Sequence, residues 1–289
     1  MWSYFTDTDN DVTPEVASRF GFKLISMPYS IDAKTIYPYE DFDKFDSKTF
    51  YDMLRSGVIP TTSAVSKEKY IQYFEPEFAA GRDIFYVHFS SAMTMTFGNM
   101  HQALDELKVK YPERRFLEVD TKGITIISYL IFEEIGKMLQ EGRTPDEIVA
   151  WAETEVDHYA QCFFADDLKF FRRSGRVSGI AATMGGMIGI RPIIHMSIEG
   201  KMESIGTEKG RNKAMARLLS YVEEKGSDIA DHKIIIGHTD AIEFATEFES
   251  MLREKFGQNL DIEIVITNPT AGSHCGPNGM GVAFHSKGR

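Results

Sequence analysis

Four segments of the sequence gather side chains that could bind or move a polar group. They are Ile59-Pro60-Thr61-Thr62-Ser63-Ala64-Val65-Ser66, Ser90-Ser91-Ala92-Met93-Thr94-Met95-Thr96, Arg172-Arg173-Ser174-Gly175-Arg176-Val177-Ser178 and Gly272-Ser273-His274-Cys275-Gly276-Pro277-Asn278-Gly279. Together they offer hydroxyl donors, guanidinium and imidazole, and they fall at strand ends and Gly-rich turns, where α/β folds place function. Taken singly, a hydroxyl run is more often a helix cap than a ligand site, and Ser66 reads as a cap for the helix after it. Arg176 alone could equally be a surface ion pair. His274 leans toward a site, because Gly272, Gly276 and Gly279 allow close backbone approach.

Motifs that would announce a simpler chemistry are missing or incomplete. There is no Gly-x-Ser-x-Gly elbow and no Gly-x-x-x-x-Gly-Lys-Ser/Thr loop. Gly279-Met280-Gly281 begins like a dinucleotide fingerprint, but Arg289 follows too soon for the helix and second strand that fingerprint needs. Asp7, Asp9 and Asp11 lack the Gly and distal Glu of a calcium loop, so loop capping and strand-end solvation are expected there, with no metal. His238-Thr239-Asp240 has no nucleophile tied to it and reads as a helix N-cap by Thr239 or Asp240.

The elements that must position these segments follow from periodicity. Strands are expected at Trp2 to Phe5, Phe22 to Met27, Ile84 to Phe89 and Arg115 to Val119. Helices are expected from Thr13-Pro14, over Ser47 to Arg55, Phe97 to Lys110 and Ile124 to Gln140, and from the capping box Thr144-Pro145-Asp146-Glu147 to about Tyr159. The second half reads strand (Ile190 to Met196), helix (Lys209 to Lys225), strand (Lys233 to Ile236), helix (Ala241 to Phe256), strand (Ile262 to Thr267) and a Gly-rich tail. This alternation predicts α/β layers with much parallel pairing. Two closely packed α/β lobes are expected, 1–160 and 161–289, with the chain free to cross between them and a cleft between them as the default ligand site.

Composition bounds the function. The chain has 289 residues, 43% hydrophobic, with 32 Lys plus Arg against 43 Asp plus Glu, a net charge of -11. That balance argues against nucleic acid as a partner, and it leaves membrane contact to local basic patches. Only Cys162 and Cys275 are present, which excludes a disulfide framework and fits the reducing cytoplasm. The longest near-continuous apolar run, Ile124 to Phe132, is too short to cross a bilayer. The N-terminus has no basic region before its apolar residues and reads as a first strand.

The order and spacing of these pieces resemble the DegV family of bacterial fatty-acid-binding proteins, essentially end to end. Thr6-Asp7-Thr8 is similar to that family's Thr-Asp-Ser opening, Thr61-Thr62-Ser63 with Ser66 to its Thr-Thr-Ser-x-Pro-Ser, and Ser90 to Thr96 to its Ser-Ser-x-Leu-Ser-Gly-Thr. Gly175-Arg176-Val177-Ser178 and Gly189-Ile190-Arg191-Pro192-Ile193-Ile194 resemble Gly-Arg-Ile-Ser and Ile-Lys-Pro-Ile, and His274-Cys275-Gly276-Pro277 resembles His-Thr-Gly-Pro-Gly. The sequence departs from the pattern at Met95 (Gly in the family), Ala64-Val65 (Gln-Pro) and Asn278 (Gly).

The resemblance implies a carrier without turnover of its own and without a cofactor. It would sequester one long-chain fatty acid in a buried ligand tunnel at or near the interface of the two lobes and present the carboxylate to a separate ATP-dependent kinase, which makes an acyl phosphate. Burying about 14 methylenes at about 0.8 kcal/mol each sets a ceiling of about 11 kcal/mol before ordering costs, so the chain would dominate affinity. By motif position, Thr62 and Thr94 would donate to the carboxylate with His274 and Arg176 nearby, and Ser63, Ser91 and Gly276 would shape the head-group loops. Arg176 would also stabilise charge during phosphoryl transfer. Arg172 and Arg173, with Lys209, Arg211, Lys213 and Arg217 on about two turns of helix, would dock the kinase or touch a membrane transiently. The competing expectation is an autonomous phosphotransferase or hydrolase in the same cleft, using His274 and Asp7 as acid-base groups.

Overall fold

The structure, a computed structural model, describes residues 1–174, 176–178 and 189–289, without the side chains of residues 172, 174, 177 and 178. The expected Gly-rich stretch at Gly175 and from Gly179 to Gly186, and the Arg172 and Ser174 side chains, therefore lie outside the described residues. In chain order the elements begin with β1 (Trp2–Asp7), α1 (Pro14–Arg19), β2 (Phe22–Ile25), β3 (Tyr29–Ile31), β4 (Lys34–Ile36), α2 (Ser47–Arg55) and β5 (Thr61–Thr62). Next come α3 (Lys67–Ala79), β6 (Asp83–His88), α4 (Thr96–Lys110), β7 (Phe116–Asp120), α5 (Ile126–Gln140) and α6 (Pro145–Glu155). The later elements are β8 (Tyr159–Phe164), α7 (Leu168–Ser174), β9 (Val177–Ser178), β10 (Ile190–Met196), β11 (Met202–Lys209) and α8 (Arg211–Lys225). The chain then forms β12 (Ile234–His238), α9 (Ile242–Phe256), β13 (Ile262–Ile266), α10 (Pro269–Cys275) and β14 (Met280–His285).

Three sheets result among the described residues. The first, in order β2-β1-β6-β7, is entirely parallel. Its central strand β6 is buried along nearly its whole length, as expected of a strand covered on both faces. The second runs β13-β12-β14-β8-β10-β11-β9, and a small third sheet, β4-β3-β5, carries Thr61 and Thr62. Thr144 caps α6 with the reciprocal Glu147 bond that its sequence predicts.

Helix α5 sits between the two large sheets. Eleven of its fifteen residues are buried, too many for a helix with one solvated face. It shares one core with Phe22, Phe85 and Val119 of the first sheet and with Phe163, Ile194, Ile235 and Ala283 of the second. Close approach of α5 to the second sheet needs Gly237, where a Cβ would lie 2.5 Å from Ile126; a Cβ on Gly281 would meet the same Ile126 side chain at 3.4 Å. The buried carboxylate on α5, Glu133, is met by Arg19 and Lys233.

The structure corrects the sequence reading in several places. Pairing in the second sheet is chiefly antiparallel, since β12–β14, β14–β8, β8–β10 and β10–β11 all run that way. The helix expected to reach Tyr159 ends at Glu155, and Tyr159 begins β8, which is buried at every position and so shows no alternation to read. The Gly-rich tail contains both α10 and β14. Lys209 ends β11, so the basic run is split between a strand and the start of α8.

Candidate functional site

The short helix α10 carries His274 and is fixed from several directions. Asn268 caps it, its side chain accepting from Ala271 N–H at 2.9 Å, and Pro269 occupies the first turn. Both Asn268 N–H groups, backbone and side chain, donate to Asp11 Oδ1 at 2.8 Å. Thr270 donates to the Met27 carbonyl and Tyr51 to the Thr267 carbonyl. Gly272 lies against Tyr51, whose hydroxyl would stand 2.6 Å from any Cβ there. Apart from the local cap at Ala271, each of these ties runs from the second half of the chain to the first.

This anchoring sets His274 Nε2 2.9 Å from Thr62 Oγ1 on β5. Burial, and then the charge of Arg176, push the imidazole down to about 4, so the ring is neutral at neutral pH. A neutral imidazole and a hydroxyl can each donate or accept, which suits them to an anionic oxygen that needs donors. Thr94 Oγ1 accepts from Thr96 N–H, a local cap, while Thr96 accepts from Val65 N–H and Asn99 donates to the Val65 carbonyl. These bonds bring the loop from Thr62 to Val65 against the start of α4. Asn278, where the family has Gly, holds φ +64°, a left-handed conformation that Asn tolerates, and accepts from Arg55, which also pairs with Asp240.

The loops surround a cavity of about 300 Å³, lined by Thr62, Ser63, Thr94, Arg176 and His274 among others. Exposed lining residues, Ser63, Ala64, Met95 and Arg176, mark its mouth, and Met95 is 80% exposed there. Buried Met27, Phe89, Ile126, Phe163 and Met280 line the interior. The size falls at the low end of the range for small-molecule pockets.

Other expected site residues stand apart from this group. Ser91 is exposed and donates to Asp120 at 2.6 Å, and it does not line the cavity. Gly276 ends α10 at φ +70°, where a Cβ would collide with Phe170 at 2.3 Å. Arg173 and Lys209 are exposed. Arg211 lies 4.0 Å over the Phe244 ring and 3.7 Å from Asp166, and Arg217 pairs with Glu224. Because β9 pairs with β11 at Met202↔Val177, Arg176 and Lys209 belong to opposite ends of β11, roughly 25 Å apart at about 3.3 Å per residue. They do not form one patch.

Asp7, Asp9 and Asp11 are buried, which overturns their expected solvation; the first-turn cap is real, with Asp9 N–H donating to Asp7. Burial pushes Asp7 and Asp11 each up to about 7, although both accept hydrogen bonds, and Asp9 is raised well above the carboxylate range by burial and then by its two acidic neighbours. Between their ordinary value near 4 and about 7, the folded chain holds protons that the unfolded chain has lost, so stability falls as pH rises through that window. Asp11→Asn keeps an acceptor for Asn268 and removes the titration. Urea midpoints at pH 5 and pH 8 should therefore drop less in Asp11→Asn than in the parent; equal drops would refute the assignment. His274 acts with opposite sign, losing stability as pH falls toward 4, but equally in both chains. At β12 the expected cap by Thr239 or Asp240 is also replaced: His238 Nδ1 accepts from Ala241 N–H, and Thr239 accepts from Gly279 N–H.

Gln161 and Thr125 line the cavity and were not singled out by the sequence. Gln161 is the lone polar residue in the run Tyr-Ala-Gln-Cys-Phe-Phe of β8, and that was the available signal.

The fold and its cavity define an α/β protein in which a parallel and a mixed sheet close on a shared helix. Residues 2–287 match the family model described as "Uncharacterised protein, DegV family", and the chain belongs to that family. A DegV domain-containing protein of Clostridium perfringens is 30% identical over 284 residues, covering 97% of this chain and 96% of the relative. Among solved structures, a stearic-acid-binding protein from Eubacterium ventriosum superposes with a TM-score of 0.86 at 20% identity, over 99% of each chain. The Fatty Acid Kinase (Fak) B3 protein of Streptococcus pneumoniae, loaded with linoleic acid, gives 0.82 at 16% identity, over 99% of this chain and 100% of that one. Among the described residues no helix is long and apolar enough to cross a membrane.

Proposed function

We propose that this protein holds one long-chain fatty acid in the cavity and presents its carboxylate at the mouth to a separate ATP-dependent kinase. The carboxylate oxygen attacks the γ-phosphorus, an O–P bond forms as the bond to ADP breaks, and an acyl phosphate results. The observation that carries this reading is the Thr62–His274 pair beside Arg176, hydroxyl and neutral imidazole next to a guanidinium, at the entrance of an otherwise largely apolar cavity. A buried carboxylate without such donors would be strongly disfavoured. The fatty-acid ligands of the Eubacterium and Streptococcus proteins support the same reading. Arg172, Arg173, Lys209 and Arg211 are assigned to kinase or transient membrane contact, Lys209 and Arg211 at a separate place from Arg176, and the protein works in the cytoplasm in two lobes, 1–160 and 161–289.

Denaturing the purified protein, extracting with organic solvent and analysing the extract by mass spectrometry tests the reading. An acyl chain is expected. No acyl chain, together with no thermal stabilisation by fatty acids of any length, would sink the carrier assignment, and phosphate release from ATP by the protein alone would make it an enzyme. The paired substitution Thr62→Ala and Thr94→Ala should weaken fatty-acid binding about thirty-fold, at roughly 1 kcal/mol for each of the two lost hydrogen bonds. Unchanged affinity would show that the carboxylate binds elsewhere.

A further inference from the structure

The cavity has a second polar lining, away from its mouth. Asp9 is buried, and its carboxyl accepts no hydrogen bond among the described residues; Oδ1 is enclosed without a partner. Gln161, 2% exposed, accepts Ile127 N–H at 3.0 Å through its amide oxygen, which leaves its NH₂ with no acceptor among the described residues. Thr125 stands at the N-cap of α5, yet its hydroxyl does not cap the helix. Thr125 N–H donates to the Asp9 carbonyl at 2.8 Å. The three residues come from three separate segments, line the same cavity, and are tied together at the start of α5, Asp9 through its carbonyl to Thr125 N–H and Gln161 through its amide oxygen to Ile127 N–H.

Buried polar groups are nearly always hydrogen-bonded, and an unmet one costs free energy that a suitable partner recovers. An unsubstituted hydrocarbon chain meets none of these three. Their combined chemistry is specific: an amide NH₂ that donates, a hydroxyl that donates or accepts, and the open N-terminal turn of a fifteen-residue helix that favours partial negative charge. Burial and the neighbouring Asp7 and Asp11 carboxylates favour the protonated form of Asp9, which then donates as well as accepts. All of them accommodate an oxygen.

We infer that the ligand of this cavity carries an oxygen on its chain, a hydroxyl or a keto group, held among Asp9, Thr125 and Gln161. The inference rests on the fatty-acid reading and narrows its substrate to oxygenated acyl chains. All three residues are buried, whereas Thr62 and His274 are half-buried and Arg176 is exposed, so this site reads the chain while Thr62, His274 and Arg176 read the carboxylate.

The test compares octadecanoic acid with hydroxyoctadecanoic and keto-octadecanoic acids substituted at successive positions, measuring dissociation constants by calorimetry on the full chain. One positional isomer is expected to bind about ten-fold tighter than octadecanoic acid, which matches one or two well-made hydrogen bonds. Asp9→Leu should bring that ratio to about one, and Gln161→Leu should reduce it several-fold. The comparison in the parent chain stands even if a variant fails to fold. Should every oxygenated isomer bind no better than octadecanoic acid, the polar groups are satisfied by water and the inference is overturned. A preference that survives both substitutions would equally refute the site. Binding by no acid at all would instead remove the fatty-acid reading itself.

Discussion

Arg176→Ala is expected to leave fatty-acid loading within a few-fold of the parent and to slow acyl-phosphate formation by the partner kinase about a hundred-fold or more. Arg176 is exposed at the cavity mouth, where a charge interaction with the bound carboxylate is screened and worth about 1 kcal/mol or less. In the transition state, negative charge spreads over the transferring phosphoryl oxygens in a site closed by the kinase, and loss of one positioned donor there costs about 10²- to 10³-fold in rate. Retained fatty acid, measured by extraction, and turnover with saturating kinase separate the two effects. Equal loss of both would mean Arg176 is a binding residue only. The same variant has an independent signature: Arg176 is one of the two causes that depress His274, so the imidazole pKa should rise above about 4 in an NMR titration.

The largest stability effect is expected at Lys233. Its ammonium bridges Glu133 on α5 at 2.5 Å and Glu263 on β13 at 2.6 Å, and Glu263 also accepts from Tyr129. The Glu133 side chain is only 2% exposed, and the other cation near it, Arg19, is half in solvent. Lys233→Met leaves a carboxylate buried with a single, partly hydrated partner, and breaking a buried pair this way costs about 3 kcal/mol or more. The double change Glu133→Leu with Lys233→Met should recover most of that loss, because both charges leave together. Urea unfolding of the four chains forms the double-mutant cycle. Additive losses would show that the two side chains are energetically independent.

Local signals were legible in the sequence and long-range ones were not. Thr144-Pro145-Asp146-Glu147 starts a helix by its own hydrogen bonds, and Ser47 to Arg55 forms the helix its pattern predicts, because both are decided within a few residues. Strand β8 escaped notice because it is covered on both faces, so its pattern has no period of two. Residues at the cavity mouth were found through motif order, which carried Thr62 and His274 to the same place although 212 positions separate them. Asp9 and Gln161 could not be found that way. Their significance depends on partners they lack, and an absent hydrogen bond has no local signature. Asp7, Asp9 and Asp11 were misread for a related reason: nothing near them in sequence reveals that α5 and α10 will cover the end of β1.

Strand β14 follows every other strand along the chain, yet it lies between β12 and β8 near the middle of its sheet. During synthesis the two halves of that sheet must therefore wait, each with an open edge of unpaired amides and carbonyls, until the final strand arrives to join them. The wall of the cavity that includes Met280 and Gly281 is made in the same event. Assembly of the binding chamber is thus coupled to the last step of sheet closure, and a nascent chain stalled before that step would expose two hydrophobic edges that can pair with other chains.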